Sequence, residues 1–248
     1  MPALPLLNCN TALFLDVDGT LIEIAPRPEA VRVPSGLGAL LARLTRHCNG
    51  ALAVVSGRPL TQIDRLLTPW AGAAAGLHGQ ERRRADGVRP TDVTAADRAA
   101  AQLLTELRPT LEAIARALPG VWIEDKGGTL ALHCRAVPEK ADELAARLQP
   151  LLADQQVLRL IAGKMVYELQ PRHHGKGAAI AAFLSESPFC GRTPVFVGDD
   201  TTDEDGFVEV NRRAGTSVRV GAADASTAAA FTLPSVDAVL QWLQRSAA

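Results

Sequence analysis

The sequence has no basic run, no pair of cysteines at metal-binding spacing and no long apolar segment. Each absence excludes something. With 248 residues and a formal net charge of −1, nothing electrostatic draws the chain to nucleic acid or to an anionic membrane surface. The four cysteines, Cys9, Cys48, Cys134 and Cys190, are far apart and read as reduced, partly buried thiols of a cytoplasmic protein. The amino-terminal region lacks a basic flank, and Asp16 and Asp18 interrupt its apolar stretch, so it does not read as a signal peptide. No apolar run approaches the roughly 20 residues of a membrane span. The expectation is a soluble, cytoplasmic globular protein whose 47% apolar content allows a large core in one or two domains.

What is present is organised around Leu13-Phe14-Leu15-Asp16-Val17-Asp18-Gly19-Thr20-Leu21. An apolar run from Ala12 ends in two carboxylates and a Gly-Thr pair, which reads as a buried strand running into a tight loop. Carboxylates at the mouth of such a strand need a cation or a metal to offset the loss of hydration. A Pro-punctuated loop follows, from Ala25-Pro26-Arg27-Pro28 to Pro34, and then a helical pattern with Ser35 as its N-cap and Leu37, Leu40, Leu41 and Leu44 on one face. Ala51-Leu52-Ala53-Val54-Val55 is a second buried strand ending in Ser56-Gly57-Arg58, and Ala73-Ala74-Ala75-Gly76 leads to His78-Gly79. Strands alternating with helices predict a parallel, doubly wound sheet with ligands outside the carboxyl ends of its strands.

The pattern changes after Glu81. Arg82-Arg83-Arg84 reads as the solvated face of a hairpin or linker. A long Ala/Leu helix from Ala95 to Leu118, two strands about Gly127-Gly128, a second helix opened by Pro138 and a second hairpin about Gly163-Lys164 give the order αββαββ. An antiparallel sheet covered by two helices, set inside a parallel chain, predicts an inserted α+β cap over 85–170, with the core formed by 1–84 and 171–248. The parallel pattern resumes with the Ala-rich helix at Lys176, the strand Pro194-Val195-Phe196-Val197-Gly198 ending in Asp199-Asp200-Thr201-Thr202-Asp203, and a strand at Thr216–Gly221. Acids and a hydroxyl at three strand ends, with a lysine beginning a helix, suit attack of a carboxylate on a phosphate ester assisted by a divalent metal. Hard oxygen donors favour Mg2+.

Asp16-Val17-Asp18-Gly19-Thr20-Leu21, Ser56-Gly57-Arg58, Lys176 and Gly198-to-Glu204 resemble the four motifs of the haloacid dehalogenase superfamily of phosphatases. The insert resembles the cap of its sugar-phosphatase branch. Within that branch Gly76-Leu77-His78-Gly79, Glu124-Asp125-Lys126, His133-Cys134-Arg135, Lys164 with Tyr167-Glu168-Leu169, and His174-Gly175-Lys176-Gly177 are most similar to the trehalose-6-phosphate phosphatase family. Val17 departs mildly, standing where the family often has an aromatic residue.

The resemblance implies a Rossmann-like α/β core and a set of roles. Asp16 would be the nucleophile that becomes an aspartyl-phosphate, and Asp18 the general acid and later base. Mg2+ would be held by the Asp16 carboxylate, the Asp18 carbonyl and Asp199, with Asp203 orienting a water of its shell and Asp200 in a lesser supporting place. Ser56 and Lys176 would bind the phosphoryl group, and Arg58 would contact it or brace its loop. Glu124, Lys126, His133, Arg135, Lys164 and Glu168 would bind sugar hydroxyls, with trehalose 6-phosphate as substrate and no protein partner specified. His78 reads equally as a cleft residue or a structural one, and His173 as polar loop. Strand alternation turns Cys134 away from His133 and Arg135, to the opposite face. Another capped sugar phosphatase or a phosphomutase would use the same Asp16/Asp18 chemistry, and a non-catalytic phospho-receiver would share the acids, hydroxyl and lysine but not Asp18 or the insert.

Overall fold

The computed structural model describes residues 4–25, 31–91, 93–163, 165–222 and 226–247. Pro26, Arg27 and Pro28 of the loop and Lys164 of the sugar-binding set lie outside the described residues. The chain forms two compact units, Met1–Pro90 with Gly175–Ala248, and Thr91–His174. In chain order the first part of unit one holds β1 (Thr11–Leu15), α1 (Leu37–His47), β2 (Leu52–Val55), α2 (Leu60–Leu67), β3 (Ala73–Gly76) and β4 (Glu81–Arg83). Unit two holds α3 (Ala95–Ala117), β5 (Trp122–Asp125), β6 (Leu130–His133), α4 (Ala141–Leu148), β7 (Leu158–Gly163) and β8 (Val166–Pro171). Unit one then resumes with α5 (Lys176–Leu184), β9 (Thr193–Gly198), α6 (Glu204–Arg212), β10 (Thr216–Val220), β11 (Phe231–Leu233) and α7 (Val236–Ser246). The expected class, an α/β parallel-sheet core carrying an α+β insert of αββαββ order, is the class observed.

The core sheet has seven strands in the order β11-β10-β9-β1-β2-β3-β4. Its strands pair in parallel except β4, which runs antiparallel to β3. Central strands of such a sheet are covered on both faces, which is why their sequences are continuous rather than alternating apolar runs. Leu13, Leu15, Leu52, Val54, Val195 and Val197 pack with α1, α2 and α7 on one face. Phe14, Ala53, Val55 and Phe196 pack with α5 and α6 on the other, where Phe14 stacks on Phe189 at 5.5 Å between centroids. The chain moves outward from β1 through β2 and β3 on one side and through β9, β10 and β11 on the other. The β1/β9 boundary is therefore a topological switch point, the place where open α/β sheets bind ligands.

The second sheet, β5-β6-β8-β7, is fully antiparallel and has two unlike faces. Leu130, Leu132, Leu158 and Leu169 join Leu104, Leu111, Ile114, Leu144 and Leu148 of α3 and α4 in one apolar cluster. The alternate residues of the same strands are left for other contacts. Cys134 is buried, as alternation required.

Two local expectations fail for physical reasons. Ser35 does not cap α1; Gly36, at φ 77°, holds the N-cap place and makes no side-chain cap bond. Two of the three arginines, Arg82 and Arg83, are not on a solvated face. Their segment is the edge strand β4, whose pairing of Arg83 with Ala74 turns Arg83 inward, where Nε donates to the Gly72 carbonyl at 2.9 Å and Nη1 bonds Asp64 at 2.8 Å. Arg82 lies over the Phe183 ring at 5.3 Å and bonds Glu186 at 2.8 Å. No helix among the described residues is long and apolar enough to cross a membrane.

The thiols divide by environment. Burial pushes Cys48 up to about 11 and raises Cys134 too, whereas Cys9 and Cys190 are exposed. Alkylation of the native protein with iodoacetamide should therefore label Cys9 and Cys190 and spare the other two until denaturant is added; mass spectrometry of labelled peptides checks this.

Candidate active site

The site is built from strand ends at equal height. Leu15 pairs with Val197, so β1 and β9 deliver Asp16 and Gly198 side by side, and the Asp16 N–H donates to the Val197 carbonyl at 3.0 Å. Lys176, first residue of α5, sends its ammonium between two carboxylates: Nζ lies 2.9 Å from Asp16 Oδ1 and 2.6 Å from Asp203 Oδ1. All three are buried, with exposures of 4% for Asp16, 2% for Lys176 and 0% for Asp203. Asp203 Oδ2 accepts from the N–H groups of Asp199 and Asp200, each at 2.9 Å. This carboxylate thus holds both the lysine and the turn after β9. Gly198 is needed for it, because a Cβ there would sit 2.3 Å from Asp203 Cγ.

Burial would lower Lys176, but Asp16 and Asp203 more than reverse this and hold it as an ammonium above its ordinary range. Burial pushes Asp16 well up, against the pull of Lys176 and with the repulsion of Asp203 and Asp199 added. Burial raises Asp203 in the same way. Asp16 and Asp203 together carry more negative charge than the one lysine they share offsets.

Asp16, Asp199 and Asp203 each present a carboxylate oxygen, all within 4.8 Å of one another. The loop after β1 leaves room at this place: Gly19 has φ 77°, and a Cβ there would lie 2.2 Å from Asp199 Oδ2. An all-oxygen set of few carboxylates fits a hard divalent ion such as Mg2+ better than a soft one. The Asp18 carboxylate turns elsewhere, accepting from Arg58 Nε and Nη2, each at 2.6 Å, in a two-pronged pair. Arg58 also reaches Gln62 at 3.1 Å. Ser56 directly follows β2, is buried, and its Oγ accepts from the Arg58 N–H at 3.2 Å. Asp200 and Asp203 reciprocally cap the single turn that follows β9, which gives Asp200 a structural task.

His78 enters by an unusual backbone. Leu77 and His78 have φ of 48° and 55°, and the His78 N–H donates to the Ser56 carbonyl at 3.0 Å. Its ring fits against Gly57, where a Cβ would meet Nε2 at 2.7 Å. A left-handed pair of ordinary residues has no signal in composition.

Unit two has its own polar cluster. Trp122 and Glu124 alternate along β5, with Lys126 just past its end, and the pairings Trp122 with His133, and Glu124 through Ala131 to Glu168, put the strand residues on the sheet face opposite the apolar one. Glu124 bonds His133 Nε2 at 2.9 Å, and Lys126 donates to Glu168 at 2.8 Å. The structure brings these four together. Arg135 lies past the end of β6, exposed, in the turn that follows. Trp122, not singled out by motif, is 53% exposed and stacks on His133 with centroids 4.0 Å apart and planes 6° from parallel. Its signal was alternation with Glu124 and Lys126.

The profile of the trehalose-phosphatase family matches residues 14–237. The chain belongs to that family. It is 41% identical over 244 residues to the trehalose-6-phosphate phosphatase of Escherichia coli strain K12, covering 97% of this chain and 88% of that one. A probable trehalose-phosphate phosphatase of Sinorhizobium fredii NGR234 is 41% identical over 231 residues, covering 93% of this chain and 85% of its own. In fold, the C-terminal domain of the C. albicans trehalose-6-phosphate phosphatase matches with a TM-score of 0.82 at 21% identity, over 96% of this chain and 91% of that chain. Family membership makes this protein a phosphatase, and the strand-end cluster is its candidate active site.

Lys176→Met would leave buried carboxylates without their cation. Loss of one partner of a buried ion pair costs about 3–5 kcal/mol. The urea midpoint should fall accordingly at unchanged m-value, with phosphatase activity lost as well.

Proposed function

We propose that the protein is a Mg2+-dependent phosphatase that hydrolyses trehalose 6-phosphate to trehalose and inorganic phosphate. The observation that carries the reading is the buried array of Asp16, Lys176 and Asp203 with Asp199 at the β1/β9 switch point. Likeness over nearly the whole chain to the E. coli trehalose-6-phosphate phosphatase supports the substrate.

Asp16 attacks phosphorus, forming the aspartyl-phosphate as the bond to the sugar oxygen breaks, and Asp18 gives that oxygen its proton. Water then attacks the same phosphorus, Asp18 takes the water's proton, and phosphate leaves with Asp16 restored. Lys176 is the fixed charge facing the phosphoryl oxygens, and Ser56 a hydroxyl donor to them. Asp18 has both oxygens on Arg58, so it serves as proton carrier only after turning from that guanidinium and taking up a proton from solvent. Arg58 is then the resting partner of the acid, and is released toward the phosphoryl anion when the acid moves. Mg2+ would be held by the carboxylates of Asp16 and Asp199 and the Asp18 carbonyl, and when bound supplies positive charge that lets an anionic nucleophile approach an anionic ester. Asp203 has both oxygens committed to Lys176 and the two amides, which suits an anchoring task more than direct ligation.

The polar face of the unit-two sheet would read the sugar. Glu124, Lys126, His133 and Glu168 offer acceptors and donors that pair with each other and can exchange those bonds for vicinal hydroxyls. Trp122 adds a flat apolar surface for the sugar's C–H edge. Arg135 and Lys164 belong to the same proposed set by motif. The protein would act in the cytoplasm on this small sugar phosphate.

The test is phosphate release from trehalose 6-phosphate. Activity should require Mg2+, disappear with a chelator and be abolished in Asp16→Asn. Trehalose 6-phosphate should exceed glucose 6-phosphate and sucrose 6-phosphate in kcat/KM. Faster turnover of either competitor would overturn the substrate while leaving the phosphatase chemistry intact. Trp122→Ala should raise KM several-fold, roughly 1 kcal/mol of binding, at little cost in kcat.

A further inference from the structure

His173 and His174 end unit two, and Asp97 stands in the first turn of α3 at its beginning, 76 and 77 residues away. The phosphatase reading uses none of the three. His173, expected to be polar loop, is instead fixed by contacts. Both imidazole Nε2 atoms converge on one oxygen, Asp97 Oδ1, His173 at 2.8 Å and His174 at 2.7 Å. The two rings are adjacent, with centroids 4.3 Å apart and planes 42° from parallel. The other oxygen, Asp97 Oδ2, is held by the Thr94 N–H at 2.8 Å and its hydroxyl at 2.7 Å, so the carboxylate cannot swing freely. One ligand atom from each of the three residues lies within 4.8 Å of the other two.

We propose that Asp97, His173 and His174 form a second metal site, which takes a borderline divalent transition ion of the Zn2+ class with water completing its shell. Two imidazole nitrogens and one carboxylate oxygen are a donor set for Zn2+ and unsuited to Mg2+, so this site and the all-oxygen cluster at Asp16 select different ions. Bonds of about 2.0–2.1 Å in a tetrahedral shell place neighbouring ligand atoms about 3.3 Å apart. The two nitrogen-to-oxygen separations need only open slightly from their present hydrogen-bond distances to admit the ion. His173 is exposed and His174 half-buried, which leaves both rings room to do so. Each hydrogen now shared with Asp97 moves to Nδ1 of its ring, and a neutral imidazole loses no proton in the exchange. Burial lowers His174, and the adjoining His173 acts in the same direction against the Asp97 bond, which favours the neutral ring that a metal requires. An ion here ties the first helix of the unit to its last residues, closing a span of 76 residues, and so binds the folded form in preference to the unfolded one.

The experiment titrates the full-length protein with Zn2+ in buffer already saturated with Mg2+, by calorimetry and by thermal melting. Wild type should bind one Zn2+ with nitrogen ligation, and Co2+ in its place should give the strong visible absorption of a low-coordinate site. A hundredfold excess of Zn2+ over Kd should raise Tm on the order of 5–10 °C. In His173→Gln/His174→Gln, where the amides still reach Asp97, affinity should fall by more than the roughly 10–100-fold that loss of even an outer-shell partner costs. Phosphatase activity measured without Zn2+ should be unchanged in that variant. If the double variant does not fold, His173→Gln alone, at the exposed position, should show the same weakening and the same lost cobalt spectrum. Equal Zn2+ binding and equal Tm shift in wild type and variant would place the ion elsewhere and overturn the proposal, as would absence of Zn2+ binding by wild type. Either result leaves the trehalose 6-phosphate assay untouched.

Discussion

One buried ammonium set between two buried carboxylates is the constraint on which the core depends. Lys176 cannot remain charged at 2% exposure unless Asp16 and Asp203 stand within hydrogen-bond reach, and those acids tolerate burial only because the lysine is there. Meeting that condition dictates much else. β1 and β9 must be neighbours in register, α5 must begin where its first side chain points at both, and Gly198 must have no Cβ where Asp203 folds beneath it. The continuous apolar strands with helices on both faces make a base stiff enough to hold these atoms in place.

The two sheets solve opposite problems. The core sheet is apolar on both faces, so its polar groups gather only where strands end. The unit-two sheet packs one face on α3 and α4 and keeps the other for charged and aromatic side chains that pair across strands. Pairs such as Lys126 with Glu168 match charge with charge across strands, which lets the face stay polar.

Much of this was legible in the sequence because the signals are local. Apolar runs ending in Asp16-Val17-Asp18-Gly19, Val55-Ser56-Gly57 and Gly198-Asp199-Asp200 mark buried parallel strands and their loops without reference to anything distant. The αββαββ order followed from two hairpin signals and two helical stripes. What escaped was set by pairing across the chain. Arg83 points inward because β4 adds to β3, not because of its neighbours in sequence. β11 is three residues long, too short for a period to show. The left-handed Leu77 and His78, the pairing of Asp18 with Arg58 and the meeting of Asp97 with His173 and His174 all depend on residues far away.

Charge balance joins these observations. At the β1/β9 boundary, Lys176 is shared by Asp16 and Asp203 while Arg58 is taken up by Asp18. The upward push on Asp16 and Asp203 is the consequence of that imbalance within a buried site. A divalent cation among the oxygens would remove it, and would at the same time lower the cost of bringing a phosphate ester to Asp16. On the proposed reading, the carboxylates gathered here would make the strand ends receptive to a cation and, through it, to an anion. Arg58 follows the same logic on a smaller scale: while it binds Asp18 both charges are satisfied, and in the proposed reaction an incoming phosphoryl group would offer the guanidinium another anion and so release the acid.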